Sequence, residues 1–335
     1  MVTVYDVANA SGFSIASVSR ALNGQPGVSE ATAERIREIA EGLGYQPNDV
    51  ARSLVAKSTQ TIALLLPDIT NPFFPELVKG VQSVADREGQ VLLLSDRADL
   101  GTKLAKDMAV LRRKQVDGVI VVAGTLGAET NDSLFHGIPT VFLDRHVEAF
   151  RVPSVGVDHE AGAYQATSHL IQLGHRRIAH IAGPADVAVS RQRLAGWTRA
   201  CREAGIDVDP SMIVRGDFLE EGGHSAGAAL LESGVEFTAV FAANDLSAVG
   251  FLALCAQRGI SVPNDVSVIG FDGIHLSRYT TPTLTTVAQP ILDLGVRAGE
   301  LLLELIRTGE TEATDVLLPT TLSLGGSTRE WQAAR

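Results

Sequence analysis

Polar residues stand directly after short aliphatic runs, where a chain leaves a strand. Asp144 follows Val141-Phe-Leu, Asp272 follows Val268-Ile-Gly-Phe, and Asn244 and Asp245 follow the run 239–243. Arg193 lies near the start of a helical stretch after the loop Ile181-Ala-Gly-Pro, and Phe73, Phe74 and Phe218 occupy loop positions. Carboxylates accept hydrogen bonds, an amide does both, a guanidinium donates two in parallel, and a flat ring covers C–H groups. That set suits a polyhydroxylated ring such as a sugar. The same residues have structural readings: Asp245 suits an N-cap for the helix after it, and Phe73 a hydrophobic staple.

Catalytic motifs fare less well. Gly223-His-Ser225-Ala-Gly227 matches the G-x-S-x-G elbow, and Asp272 and His275 follow in the order of an α/β-hydrolase triad. The elbow must interrupt a strand, yet residues 216–222 read as no strand and 223–234 read as a helix. An enzyme using Ser225 is therefore the weakest alternative. The eight histidines form no HExxH, and His175 and His180 flank a strand start rather than share a helix face. Neither a P-loop nor a GxGxxG with a downstream acid occurs. No catalytic residue, metal site or cofactor is expected.

The elements that must position these residues follow a regular alternation. Strands are predicted at 61–66, 91–95, 118–122 and 140–143, then at 155–157, 177–182, 212–214, 239–241 and 266–271. Helices are predicted between them, at 74–89, 102–114, 160–173, 191–204, 222–234, 246–259 and 292–307. Alternating β and α implies parallel sheets covered on both faces. Two such series imply an α/β fold with two doubly wound lobes, whose strand-end loops line a cleft.

The first sixty residues differ. Thr3 suits the cap of a helix from Val4 to Ala10, Gly12 a sharp turn, Ser14 the cap of a second helix to about Asn23, and Ser29 the cap of a third. Ala33, Ile36, Ala40 and Leu43 form one apolar stripe on that third helix. Ala8, Gly12 and Val18 supply the small, turn and aliphatic residues of a helix-turn-helix. The outward face of the second helix carries Ser14, Ile15, Ala16, Ser17, Ser19, Arg20 and Asn23, small and polar enough to approach a DNA groove. Pro47 then opens a short segment to Ala56 with Val50, Ala51 and Leu54 as an apolar stripe. At about ten residues it would form only when docked.

Composition agrees with a globular chain of two or three domains: 335 residues, 45% hydrophobic and 20% charged. The formal charge of −11 argues at first sight against nucleic acid, but residues 1–60 hold five Lys/Arg against six Asp/Glu, so the acidity lies in the rest. Cys201 and Cys255 form no disulfide framework, and neither a secretion signal nor a membrane span is apparent. A cytoplasmic protein is expected.

Thr3-Val-Tyr-Asp-Val-Ala-Asn, Ser14-Ile-Ala-Ser-Val-Ser-Arg-Ala-Leu-Asn23, Gly44-Tyr-Gln-Pro-Asn48 and Ala51-Arg-Ser-Leu54 resemble the head and hinge of the lac-repressor/galactose-repressor (LacI/GalR) family. The resemblance continues through Asp68-Ile-Thr-Asn-Pro-Phe-Phe74, Leu173-Gly-His-Arg-Arg-Ile178, Arg193-Leu-Ala-Gly-Trp197, Asn244-Asp245, Val268-Ile-Gly-Phe-Asp272 and Thr285-Thr-Val287. It implies a helix-turn-helix head (1–46), a hinge helix and linker (47–60), and a periplasmic-binding-protein-like body (61–335). The first lobe would be about 61–157 and 289–316, the second about 158–288 and 317–330. Ile15, Ala16 and Arg20 would read bases. Tyr5, Ser14, Ser17, Ser19, Asn23, Ser29, Thr32, Tyr45 and Asn48 would contact mainly phosphates. Leu54 would wedge into the minor groove at a central CG step. Asp144, Arg193, Asn244 and Asp272 would line an effector pocket with Phe73, Phe74 and Phe218 on its walls. The expectation is a homodimeric repressor of a carbohydrate-utilisation operon, released from an inverted-repeat operator by a sugar-type effector. The alternative is a corepressed regulator answering to a purine or nucleoside. No heptads follow Leu324, so no tetramerisation helix is expected.

Overall fold

The computed structural model describes residues 2–45, 58–96, 100–122, 132–144, 152–309 and 315–331. The chain forms two compact units, Met1–Thr59 and Gln60–Arg335.

The first unit holds α1 (Val4–Ser11), α2 (Ile15–Leu22) and α3 (Glu30–Gly42). Short polar side chains fix where each begins. The Asp6 carboxylate accepts from the Thr3 N–H at 2.8 Å and the Thr3 hydroxyl at 2.7 Å. Ser14 Oγ accepts from the Ser17 N–H at 3.1 Å, and Ser29 Oγ from the Thr32 N–H at 3.3 Å. Gly12 ends α1 at φ 74°, as the turn requires. Ala8 and Val18 are buried with Val7, Ala21, Ala33, Ile36 and Ala40 in a small shared core. Leu43 departs from the expected stripe. It caps the end of α3, past the last full turn, and is 39% exposed. The hinge segment expected at 47–56, with Asn48 and Leu54, lies outside the described residues.

The second unit contains two six-stranded sheets. The first uses β1 (Thr61–Leu66), β2 (Val91–Asp96), β3 (Gly118–Val122), β4 (Thr140–Leu143), β5 (Ser154–Val157) and, from far along the chain, β11 (Asp315–Leu318). Their order is β11-β5-β4-β3-β1-β2, all parallel. The second uses β6 (Ile178–Ala182), β7 (Ile213–Arg215), β8 (Ala239–Ala242), β9 (Ser267–Asp272), β10 (Thr285–Ala288) and β12 (Thr321–Ser323). Its order is β12-β10-β9-β8-β6-β7, with β12 antiparallel to β10. The chain therefore passes between sheets after β5, after β10 and between β11 and β12. The passage expected between 316 and 317 falls inside β11, which pairs with β5 along its whole length. Ser154 Oγ also donates to the Asp315 carboxylate at 2.6 Å.

Helices α4 (Phe73–Arg87), α5 (Leu100–Arg113) and α10 (Ile291–Thr308) cover the first sheet. Helices α6 (His159–Gln172), α7 (Ala188–Glu203), α8 (Glu220–Glu232) and α9 (Asp245–Gln257) cover the second. Within these covers, α4 packs on α10, α6 on α7 and α8 on α9. The α4–α10 crossing is a reciprocal glycine contact. A Cβ at Gly80 would run into the Leu292 carbonyl and lie 2.9 Å from Gly295 Cα, and one at Gly295 would strike the Leu77 carbonyl. Gly80→Ala is expected to destabilise the unit by about 1–3 kcal/mol through helix displacement, read as a lower urea midpoint.

Coverage on both faces holds for the central strands and fails at the outer ones: β11 leaves Leu317 62% exposed, and β7 and β12 are only partly covered. The outer strand β2 leaves Val91 59%, Leu93 40% and Leu94 50% exposed. β2 ends the order of its sheet, so among the described residues no strand lies on its outer side, and α5 packs on β1 rather than on it. Among the described residues no helix is long and apolar enough to cross a membrane.

Candidate functional site

The C-terminal ends of both sheets meet around a cavity of about 250 Å3. All seven residues expected at an effector site line it: Phe73, Phe74 and Asp144 from the first lobe, and Arg193, Phe218, Asn244 and Asp272 from the second. Strand ends place them there. Asp144 leaves β4 and Asp272 ends β9, while Asn244 follows β8. Asp68 and Asp217, not expected at the site from the sequence, add two carboxylates to the lining. Asp217 stands beside Phe218, and Asp68 opens the motif that ends in Phe73 and Phe74, so in both places the rings were the more conspicuous residues.

Arg193 organises the floor. It is 3% exposed. Its Nη1–H donates to the Ala243 carbonyl at 2.6 Å, and its Nη2 lies 3.0 Å from Asp272 Oδ1. The guanidinium lies 3.9 Å over the Phe271 ring and 6.0 Å from that of Phe218. Asp272 also accepts from Gln289 Nε2–H at 2.9 Å. Burial raises the Asp272 carboxyl above its ordinary range, against the opposing pull of Arg193. This is a paired but incompletely satisfied floor: Arg193 Nε and Gln289 Oε1 are buried without a hydrogen-bond partner.

Asn244, not Asp245, is the N-cap of α9. Its Oδ1 accepts from the Ser247 N–H at 3.0 Å, and its Nδ2–H donates to the Phe218 carbonyl at 2.8 Å. Both ends of the amide are thus engaged, and it positions the Phe218 loop while lining the cavity. Asp245 lies wholly buried behind it, accepting from Thr286 Oγ1–H at 2.6 Å and the Ile274 N–H at 2.9 Å. Burial, then the charge of Asp272, raises its carboxyl well above the ordinary range. Phe73 is 4% exposed and packs into the first-lobe core, edge-on to Phe74 at 5.2 Å. It is a wall as well as a structural anchor.

Among the described residues, five that are not glycine have positive φ, and three of them are in this lining: Asp144 at 66°, Phe218 at 72° and Asp272 at 111°. Concentrated strain of this kind marks residues held in place by their surroundings for a purpose other than local stability. The elbow-like Gly223–Gly227 lies inside α8, with Gly223 against the Ser247 main chain and Gly227 against the Phe251 ring. Close helix packing accounts for its pattern. Among the described residues no group of three or more metal-ligating side chains converges.

In the first unit, the outward face of α2 is as expected in part. Ser14, Ile15, Ala16, Arg20 and Asn23 are exposed, as are Tyr5 and Ser29. Ser17, Ser19, Thr32 and Tyr45 are half-buried. Ser17 and Thr32 share their hydroxyls with the caps Ser14 and Ser29 at 2.9 and 2.8 Å, and Tyr45 packs on the head core.

Together these features define a ligand-binding α/β body joined in one chain to a helix-turn-helix unit. Residues 3–48 match the family described as bacterial regulatory proteins, lacI family, and residues 167–328 match a periplasmic binding protein-like domain. Catabolite control protein A of Priestia megaterium is 36% identical over 98% of this chain and 99% of its own. The ribose operon repressor of Halalkalibacterium halodurans is 36% identical, over 98% of each. A lac repressor dimer solved with operator and an anti-inducer superposes with a TM-score of 0.88 at 29% identity, over 98% of this chain and 99% of that one. The chain belongs to the lacI family of DNA-binding transcriptional regulators.

Proposed function

We propose that this regulator represses a carbohydrate-utilisation operon and is released from its operator when a neutral sugar fills the cavity between the lobes. The observation that carries this reading is the lining itself. Carboxylates from both lobes, a guanidinium held among them and phenylalanine faces surround one small space, the complement of hydroxyls on an apolar ring. The similarity to a ribose operon repressor, and to a lacI-family regulator of Enterococcus faecium solved with ribose, supports a sugar. Ile15 and Ala16 would favour thymine methyl groups and leave the polar base reading to Arg20, with Tyr5, Ser14, Ser17, Ser19, Asn23, Ser29, Thr32, Tyr45 and Asn48 on phosphates. The exposed apolar edge of β2 supports a homodimer paired through the first lobe, whose two heads would read an inverted repeat.

Selection of random duplex DNA by the full-length protein tests the first half. Enrichment of an inverted repeat with a central CG step is expected, and a single unpaired site would overturn the dimeric reading. Leu54→Ala is expected to weaken binding to the selected site at least ~10-fold while leaving the dimer intact, because the groove wedge is lost. Operator release is then titrated with D-ribose and other neutral monosaccharides, and with hypoxanthine and adenosine. Release by a sugar supports the proposal. Binding strengthened by a purine would replace it with corepression.

A further inference from the structure

Inside the body, one buried imidazole joins the cavity floor to the opposite lobe. His159 is the first residue of α6, immediately after the chain leaves β5 for the second lobe, and it is 3% exposed. Its Nε2 lies 3.2 Å from the main-chain oxygen of Asp144, at the end of β4 in the first sheet. Its Nδ1 lies 3.3 Å from Arg193 Nη2, in the second lobe. A guanidinium has donors and no acceptor, so Nδ1 must accept and the ring proton must sit on Nε2. That is the form that donates to Asp144, so a single tautomer satisfies both lobes. The ring leans on Phe271 at 5.8 Å, the same ring that underlies Arg193. Asp144 Oδ1 lies equally near Nε2, at 3.2 Å, but off its N–H axis, and remains buried without a hydrogen bond. Gln289, on the second passage between lobes, grips the other half of the pair: its main-chain N–H and its Nε2–H each donate to Asp272 at 2.9 Å.

We infer that His159, with its proton on Nε2, is the positioning residue that carries the state of the Arg193–Asp272 pair across the first inter-lobe passage to Asp144. The inference rests on the reading that this pair contacts the effector. A ligand that draws Arg193 aside takes the acceptor's partner from Nδ1. The ring is then free to turn, and Asp144, held at a strained φ with an unsatisfied Oδ1, loses its donor. His159 thereby converts a contact in one lobe into a change at a strand end of the other. Nothing in the sequence singled it out; in the structure its neighbour Asp158 caps α6, accepting from the Ala161 N–H at 2.8 Å.

The test uses full-length protein labelled with 15N-histidine, the His159 signals being assigned by their loss in His159→Asn. One ring nitrogen is expected in the bare acceptor form and the other protonated, and in Arg193→Met the two should move toward averaged values. Averaged or doubly protonated signals in the wild type, or signals indifferent to Arg193→Met, overturn the relay. A second arm uses whichever monosaccharide of the panel releases the operator. Asparagine can accept from Arg193 but is too short to reach Asp144. His159→Asn should therefore keep sugar binding while shifting the concentration for operator release at least ~5-fold. Wild-type release by His159→Asn sinks the relay alone. Unchanged sugar affinity in Arg193→Met sinks the effector-site reading instead.

Discussion

Arg193→Met is expected to destabilise the body by about 3–5 kcal/mol near neutral pH, the usual cost of stranding one member of a buried ion pair. Methionine fills much of the volume, so packing loss is small and the effect reports charge. Asp272 would lose the cation 3.0 Å away, and the Ala243 carbonyl its 2.6 Å donor. The sign of the pH dependence follows. Burial already raises the Asp272 carboxyl above its unfolded value, and removing Arg193 raises it further. A carboxyl with a raised native pKa destabilises above that pKa, and the penalty fades as pH falls through it and the native state takes up a proton. Urea unfolding of the variant should therefore show a deficit that shrinks on acidification. Adding Asp272→Asn should recover part of the loss at neutral pH, because no stranded carboxylate remains. Equal deficits at every pH, or additive losses in the double variant, would contradict the charge account.

A second large effect concerns His180, in the interior of β6. Its ring is fully buried and stacked between Trp197, 5.7 Å away, and Phe241, 4.8 Å away. Nδ1–H donates to the Phe241 carbonyl at 2.8 Å, while Nε2 has no partner. Burial pushes its pKa down to about 4. The unfolded chain binds a proton below ~6.5, whereas the native ring refuses it until about 4. Stability is thus full above ~6.5 and should decline by about 3 kcal/mol as pH falls through that window. The raised carboxyls of Asp245 and Asp272 act in the opposite direction, since the native state protonates them first. Comparison with His180→Phe isolates the histidine: the stack is kept, the carboxyls are common to both proteins, and the acid slope should flatten. Parallel slopes in the two proteins would rule out this role.

The cavity lining was legible because a doubly wound sheet exposes its strand ends on one side. A polar residue after an aliphatic run, such as Asp144 or Asp272, is placed there by topology alone. Partners across the fold were not legible. Asn244 and Asp245 are adjacent and chemically alike, and only the tertiary position of Thr286 and Ile274 makes Asp245 the buried anchor and Asn244 the cap. His159 was invisible for the same reason, since its partners lie 15 and 34 residues away. Local rules also overstate coverage. The run Val91–Leu94 reads like any other buried strand, and its place at the sheet edge is a property of the whole order.

The contact between α4 and α10 also bears on how the protein is made. The two helices that meet at Gly80 and Gly295 leave the ribosome more than two hundred residues apart, and β11 emerges later still. The second lobe is nearly continuous from α6 to β10 and can assemble as it appears. The first lobe cannot close until α10 arrives, so at ordinary translation rates its half-built sheet waits on the order of 10–30 s for the partner that seals it. During synthesis the head is finished first, the second lobe follows with all but its last edge strand β12, and the lobe that stands between them in the chain closes only when α10 and β11 have emerged.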